Sequence, residues 1–451
     1  MTRFTPAGWV SRTMRSPLTL NAYSLVLSTA STSVLGLFYW VLVARLYPVQ
    51  VVGINAALIS TMGSIGSITQ LNLVSVLNRF LPKANGAAKH WILTSYAVCF
   101  STTVLAGSVF VLGTGLWTPS LHFLAERPGM AAWFIASSIV ATIFSLHDGL
   151  LSGLRKAIWA PVSMTMFAVA KIVFLLIFAA SAIRAFGPFA SWTVSMVLSL
   201  ILVNILVFGS FLRKGSPTQG TEITLGMIFH YARANFIGNS FFMVAIGVAP
   251  LLVLEVAGAS ANAEYYISWR IAYSLYLVSK SMGVSLIAEG AVNQGELRSL
   301  AAKTLIHSMT LLVIAVTIIV IAAPWILRAF GPHYDDGGMC LRLLALSALP
   351  FGITSVFLSV ARVERRMDAV VLVHAVLMML VLGIGMLLVK RYGALGMSIA
   401  WLVVQSMVAA VLTTIQLRKF RGKPEIAHSG TYRLDLDQKL QEGTDSKQAA
   451  R

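Results

Sequence analysis

Three cations stand inside otherwise apolar runs of this chain: Lys171, Arg270 and Lys280. A charge at the centre of a hydrocarbon layer costs roughly 2.5 to 3.5 kcal/mol on insertion scales, so a residue kept there marks a use. At 100 degrees per residue, Tyr266, Arg270, Tyr273, Leu277 and Lys280 all fall within about 40 degrees of one line along a helix. Cations shielded from water make strong charge-assisted contacts to phosphate, and tyrosine rings present flat amphipathic surfaces to sugars. Such a stripe would suit a pyrophosphate head group, with flat surfaces left for sugars. The competing reading has Arg270 reaching back to the membrane surface and the tyrosines belonging to an interfacial aromatic belt.

Counted at 1.5 Å per residue from the inner helix ends, the cations lie at depths of about 27 Å for Arg270, 21 Å for Lys171 and 12 Å for Lys280. Asp148 lies about 9 Å deep, too far from Lys171 to pair with it and level with Lys280. The expectation is that Asp148 and Lys280 pair across the two halves and help close the inner side, leaving Lys171 for phosphate or ion coupling. Pro250 and Pro350 are candidate kinks at which helices bend between states. Asn21, Ser24, Ser28 and Thr32, and Asn235 and Asn239 with Pro250, form small polar faces that either line a wet cavity or pack helices closely. No metal is expected. His147, His307 and His374 lack a second ligand at helical spacing, Cys99 and Cys340 are far apart in apolar runs, and Asp335 and Asp336 read as a capped turn. The chain has no GxxxxGK[ST] loop, so no nucleotide cofactor is expected either.

The elements that must position these residues follow from composition. The chain has 451 residues, 57% hydrophobic and 11% charged, with a mean hydropathy of +0.81, far from soluble-protein norms. A net charge of +18 on so apolar a chain points to loops facing anionic lipid and away from nucleic acid. Twelve apolar runs are long enough to span a bilayer. Six precede the middle of the chain: Leu20–Val43, Val49–Leu77, Trp91–Leu116, Met130–Leu154, Ala157–Ile183 and Ala185–Leu212. Six follow: Ala234–Leu254, Tyr265–Ala288, Thr304–Leu327, Leu343–Val360, Ala369–Val389 and Tyr392–Leu417. With the N-terminus inside, 24 of the 34 Lys and Arg fall on inner segments and 7 on outer ones, which places both termini in the cytoplasm. The fold class expected is an all-α polytopic membrane protein of about twelve helices in two six-helix bundles. The organisation is a cytoplasmic N-tail (1–19), an N-terminal lobe (20–212), a cytoplasmic linker (213–233), a C-terminal lobe (234–417) and a disordered cytoplasmic tail (418–451). The halves correspond faintly at an offset of about 211 residues.

The run Tyr39-Trp-Val-Leu-Val-Ala-Arg-Leu-Tyr-Pro48, followed by Val52-Gly-Ile-Asn-Ala-Ala-Leu-Ile-Ser60, resembles the first two helices of polysaccharide flippases of the multidrug/oligosaccharidyl-lipid/polysaccharide exporter superfamily. Asp148-Gly-Leu-Leu-Ser-Gly-Leu-Arg-Lys156, Tyr231-Ala-Arg-Ala-Asn-Phe-Ile-Gly-Asn239, Ala288-Glu-Gly290, Leu341-Arg-Leu-Leu-Ala-Leu-Ser-Ala-Leu-Pro350 and Tyr392-Gly-Ala-Leu-Gly-Met397 are similar to the same family. The resemblance implies two bundles around a central cavity that opens alternately to either side and carries polyprenyl-diphosphate-linked oligosaccharide outward for surface polysaccharide or lipopolysaccharide assembly. It also implies a bacterial inner-membrane location, with membrane lipids and polymerase or glycosyltransferase machinery as partners. The rival from the same superfamily is a multidrug/ion antiporter, which commonly carries a carboxylate in span one; span one here has none. A membrane glycosyltransferase or polymerase needs an acidic motif or a large outer loop. The first outer turn, Ala44–Pro48, has no carboxylate and no outer connection exceeds about 15 residues, so no enzyme is expected.

Overall fold

The computed structural model describes residues 34–84, 87–211 and 225–421. Among these, 93% are helical and none lies in a strand. A bilayer offers no water to unpaired backbone groups, and a helix satisfies its own. Ten helices are long and apolar enough to cross a membrane. One of them, within Leu225–Val292, is two spans in succession: Gly258 interrupts it at φ 89°, ψ 172°, a conformation essentially restricted to glycine. The Lys280 ammonium over the Phe242 ring shows the two parts running back alongside each other. With the shorter Val34–Leu46, the described spans number twelve, in the two six-helix bundles expected.

These are α1 (Val34–Leu46), α2 (Val49–Thr69), α3 (Ala88–Trp117), α4 (Pro128–Gly153), α5 (Trp159–Ala179), α6 (Gly187–Leu206), α7 and α8 (225–257 and 259–292), α9 (Leu297–Phe330), α10 (Gly338–Val363), α11 (Met367–Tyr392) and α12 (Ala394–Arg421). Residues through Ala409 form one compact unit, and the chain from Ala410 forms a second. The N-tail, Asn21, Ser24, Ser28 and Thr32, most of the linker and the tail beyond Arg421 lie outside the described residues.

Several boundaries differ from the sequence expectation. α7 starts at Leu225 instead of Ala234, and α9 at Leu297 instead of Thr304, because counting apolar runs stops at Arg233 and at Arg298 and Lys303, charges that the helices nonetheless include. Span two, expected to be unbroken to Leu77, ends at Thr69. Leu71 (φ 50°) and Asn72 (φ 60°) turn the chain into a short helix, Leu73–Phe80, and asparagine tolerates the left-handed region better than most residues. α10 breaks at Ser347. Pro350 accounts for this break, since it has no N–H for the Leu346 carbonyl and clashes with it. Pro250 lies inside the helix before Gly258, the residue off helical geometry within Leu225–Val292.

The ends of α4 and α10 correspond closely. After α4, the Lys156 amide bonds to the Leu151 carbonyl at 2.8 Å, across Arg155 at φ 57°; after α10, the Arg366 amide bonds to Ala361 at 2.8 Å, across Arg365 at φ 59°. Both are six-to-one caps of the Schellman kind, about 210 positions apart, close to the offset read from the sequence.

Candidate functional site

α1, α5 and α6 from the first lobe meet α8 from the second around a cavity of about 210 Å³, its walls including Trp40, Phe167, Lys171, Trp192, Arg270 and Tyr273. Lys171 is only 4% exposed. Its ammonium lies 4.9 Å from the centre of the Tyr39 ring and 5.1 Å from those of Phe167 and Trp192, so aromatic faces stand where a carboxylate would be expected. Phe167 is one helical turn before Lys171 and therefore on the same face. Tyr39 is fixed from α1: its hydroxyl donates to the Pro188 carbonyl at 3.1 Å and lies 2.9 Å from the Ser191 hydroxyl.

Arg270 enters from the opposite lobe and lines the same cavity as Lys171. Its Nε is buried without a hydrogen-bond partner, as is the indole Nε1 of Trp40. No Asp or Glu is among the lining residues. The cavity thus presents cations and N–H donors with no carboxylate among its lining residues to match them, a setting suited to an anion.

The structure brings together Lys171, Arg270 and Tyr273 of the residues read from sequence, and sets the others apart. Tyr266 is buried in the interlobe core, its ring 4.9 Å from that of Trp40, so it backs the cavity wall instead of lining it. Lys280 turns into its own lobe: its ammonium donates to the Tyr273 hydroxyl at 3.4 Å and lies 4.7 Å over Phe242. Asp148 is exposed and makes no ion pair among the described residues, so the expected Asp148–Lys280 pairing is absent from this arrangement. Depth counting placed them level but could not say which way Lys280 points. Pro250 and Pro350 are not among the cavity-lining residues. Sequence reading did not place Tyr39, Trp40, Phe167 or Trp192 at the site, although Tyr39 and Trp40 open the first run of the resemblance and Phe167 lies at helical spacing from Lys171.

The lobes meet above the cavity at the Arg45 end. Arg45 donates to the Arg328 and Ala329 carbonyls at 2.8 and 2.9 Å, at the close of α9. Glu255 accepts from the Ser120 amide at 3.0 Å, and the Asn262 amide donates to the Gly53 carbonyl at 2.7 Å. Asn55 holds α2 against the start of α6, donating to Ala185 and accepting from the Phe189 amide at 3.0 Å. These contacts give a role to the Val52–Ser60 run. Among the described residues no three His, Cys, Asp or Glu are grouped to hold a metal.

A fold of twelve spans with a cavity between two lobes is shared with solved transporters, one of them of the MOP superfamily. Solved structures similar to this chain include an inward-facing multidrug resistance MATE transporter of that superfamily (TM-score 0.68, 15% identity, 86% of this chain and 94% of that one). A Vibrio cholerae MATE transporter (0.60, 13%, 89% and 95%) and the lipid II flippase MurJ in an inward closed conformation (0.62, 12%, 87% and 87%) are similar too. No protein-family model and no curated protein matches the chain.

Proposed function

We propose that this protein is an alternating-access flippase that carries polyprenyl-diphosphate-linked oligosaccharide from the inner to the outer leaflet of a bacterial cytoplasmic membrane for surface polysaccharide assembly. The observation that carries the reading is the meeting of Lys171 and Arg270, one from each lobe, in an aromatic cavity whose lining has no carboxylate. A diphosphate bridging the two cations favours whichever arrangement of the lobes brings both to it, which is the differential interaction a carrier needs. Aromatic faces serve the sugars, and the lipid tail stays in the bilayer. In this reading both termini are cytoplasmic, the drive is passive or an ion gradient, and polymerase or glycosyltransferase machinery receives the cargo outside.

The test is deletion of the gene in its source organism, with lipid-linked oligosaccharide, surface glycan and drug sensitivity measured on the same cells. Complete lipid-linked units accumulate while surface glycan falls, and a gene encoding Arg270→Ala fails to restore export at normal protein levels. Unchanged glycans with raised drug sensitivity would instead make the protein a drug exporter, and truncated units would point to a missing transferase.

A further inference from the structure

Of Tyr273 and Lys280, two helical turns apart on α8, the tyrosine lines the interlobe cavity and the lysine does not. The two side chains nevertheless meet. The ammonium lies 3.4 Å from the phenol oxygen, 5.6 Å from the centre of that ring and 4.7 Å from the centre of the Phe242 ring on α7. Among the described residues it has no carboxylate partner, and the phenol oxygen is its hydrogen-bond acceptor. An ammonium has three protons and no lone pair, so it can only donate. The Tyr273 oxygen must therefore accept, which leaves its single proton to be given elsewhere. Among the described residues nothing accepts that proton. Ser274, the next residue in the cavity wall, is set the other way. Its hydroxyl gives its proton to the Ile271 carbonyl at 2.7 Å and has lone pairs left to offer. Two adjacent hydroxyls of one helix thus have opposite polarity, each fixed by a neighbour that can play one role only.

An oxyanion in the cavity needs donors. Arg270 also lines the cavity, its buried Nε without a partner, and it precedes Tyr273 by three residues, which makes the two neighbours on the helix surface. A hydroxyl that already accepts from a cation is polarised and gives its own proton more strongly. Without the lysine, the same hydroxyl is free to turn a lone pair toward the ligand, which an anion repels. We propose that Lys280 is a positioning residue of the interlobe site: it holds the Tyr273 hydroxyl as a donor, so that Tyr273 and Arg270 together bind a phosphate-type oxyanion from the C-terminal lobe while Lys171 binds it from the other. The inference rests on the anion reading of the cavity. It gives Lys280 an effect on a ligand that it does not touch, and it makes Tyr273 a polar contact to phosphate in addition to a flat surface for sugars.

The experiment uses the full-length protein in phosphatidylcholine nanodiscs and measures equilibrium binding of radiolabelled inorganic pyrophosphate. Tyr273→Phe is expected to weaken binding roughly tenfold and Lys280→Met to weaken it as much, whereas Lys280→Arg, which also can only donate, largely keeps it. The decisive variant is Tyr273→Phe/Lys280→Met. It is expected to bind no more weakly than Tyr273→Phe alone, because without the hydroxyl Lys280 has nothing to hold. A lysine that merely supports the fold, or that attracts the anion by its charge, weakens binding by the same factor in both backgrounds, and that result overturns the inference. Binding unchanged in Tyr273→Phe but weakened in Arg270→Ala overturns it too and leaves the cargo reading standing. Unmodified protein that binds no pyrophosphate overturns both. The expected non-additivity, without lipid-linked oligosaccharide accumulating in the deletion strain, upholds the inference and removes the cargo reading. Phosphatidylglycerol that displaces pyrophosphate more strongly from the unmodified protein than from Tyr273→Phe upholds the inference and assigns the oxyanion to a lipid headgroup.

Discussion

Lys171 and Lys280 are the same residue type at the edge of the same aromatic-rich interior, and their surroundings give them different work. Lys171 has three aromatic faces and no hydrogen-bond acceptor of its own, so its charge stays available to an anion in the cavity. Lys280 is spent on Tyr273 and Phe242 within one lobe. Lys171→Met keeps the apolar stem and removes the charge. It is expected to leave expression and melting temperature near those of the unmodified protein and to lower export of lipid-linked cargo by at least about tenfold, read as glycan reaching the surface. Lys171→Arg restores export only in part, because a planar guanidinium does not fit a cage formed around a compact ammonium.

At the scale of elements, glycines and breaks decide what the helices can do. A Cβ on Gly53 would collide with the Ala259 carbonyl, and one on Gly247 with the Ser64 hydroxyl, so α2 approaches α7 and α8 backbone to backbone, as small residues allow in membranes. The Ser64 hydroxyl can rotate away while its Cβ, 2.5 Å from the added carbon, must shift with the helix, whereas at Gly53 it is the carbonyl itself that stands in the way. Gly53→Ala is therefore expected to destabilise the purified protein by about 1–3 kcal/mol, seen as a lower melting temperature in detergent, and Gly247→Ala by less. Arg155 and Arg365 occupy the left-handed positions that close α4 and α10, where glycine is favoured. Arg155→Gly is expected to be tolerated or slightly stabilising and Arg155→Val to be destabilising by about 1 kcal/mol or more in the same melting assay.

For the whole molecule, Arg45, Glu255 and Asn262 bind backbone groups of the opposite lobe, all at one end. Separating the lobes there breaks these contacts together, so they bias a two-state equilibrium rather than adding to the stability of either lobe. Arg45→Ala with Glu255→Gln is expected to raise the labelling of Gly36→Cys, a cavity-lining position, by a membrane-impermeant maleimide added from outside the cell. Cys99 and Cys340 are buried and give little background. The same assay reads orientation: if labelling rises only when reagent is supplied from the cytoplasmic side, the charge bias has been read upside down.

The membrane class, the twelve spans and the presence of buried cations were legible in the sequence because they depend on local composition: a run of about 20 apolar residues commits to a helix wherever it sits, and a charge within it is conspicuous. The repeat offset read from the sequence lies close to the 210 positions that separate the caps at Arg155 and Arg365. Which residues meet was not legible. The cage around Lys171 draws rings from α1, α5 and α6. One helical face permits several partners, and depth counted along a helix says nothing of the direction a long side chain takes. Asp148 and Lys280 share a depth and remain apart, while Lys171 and Arg270 differ in depth and share a cavity, because packing between helices, not position along them, brings side chains together.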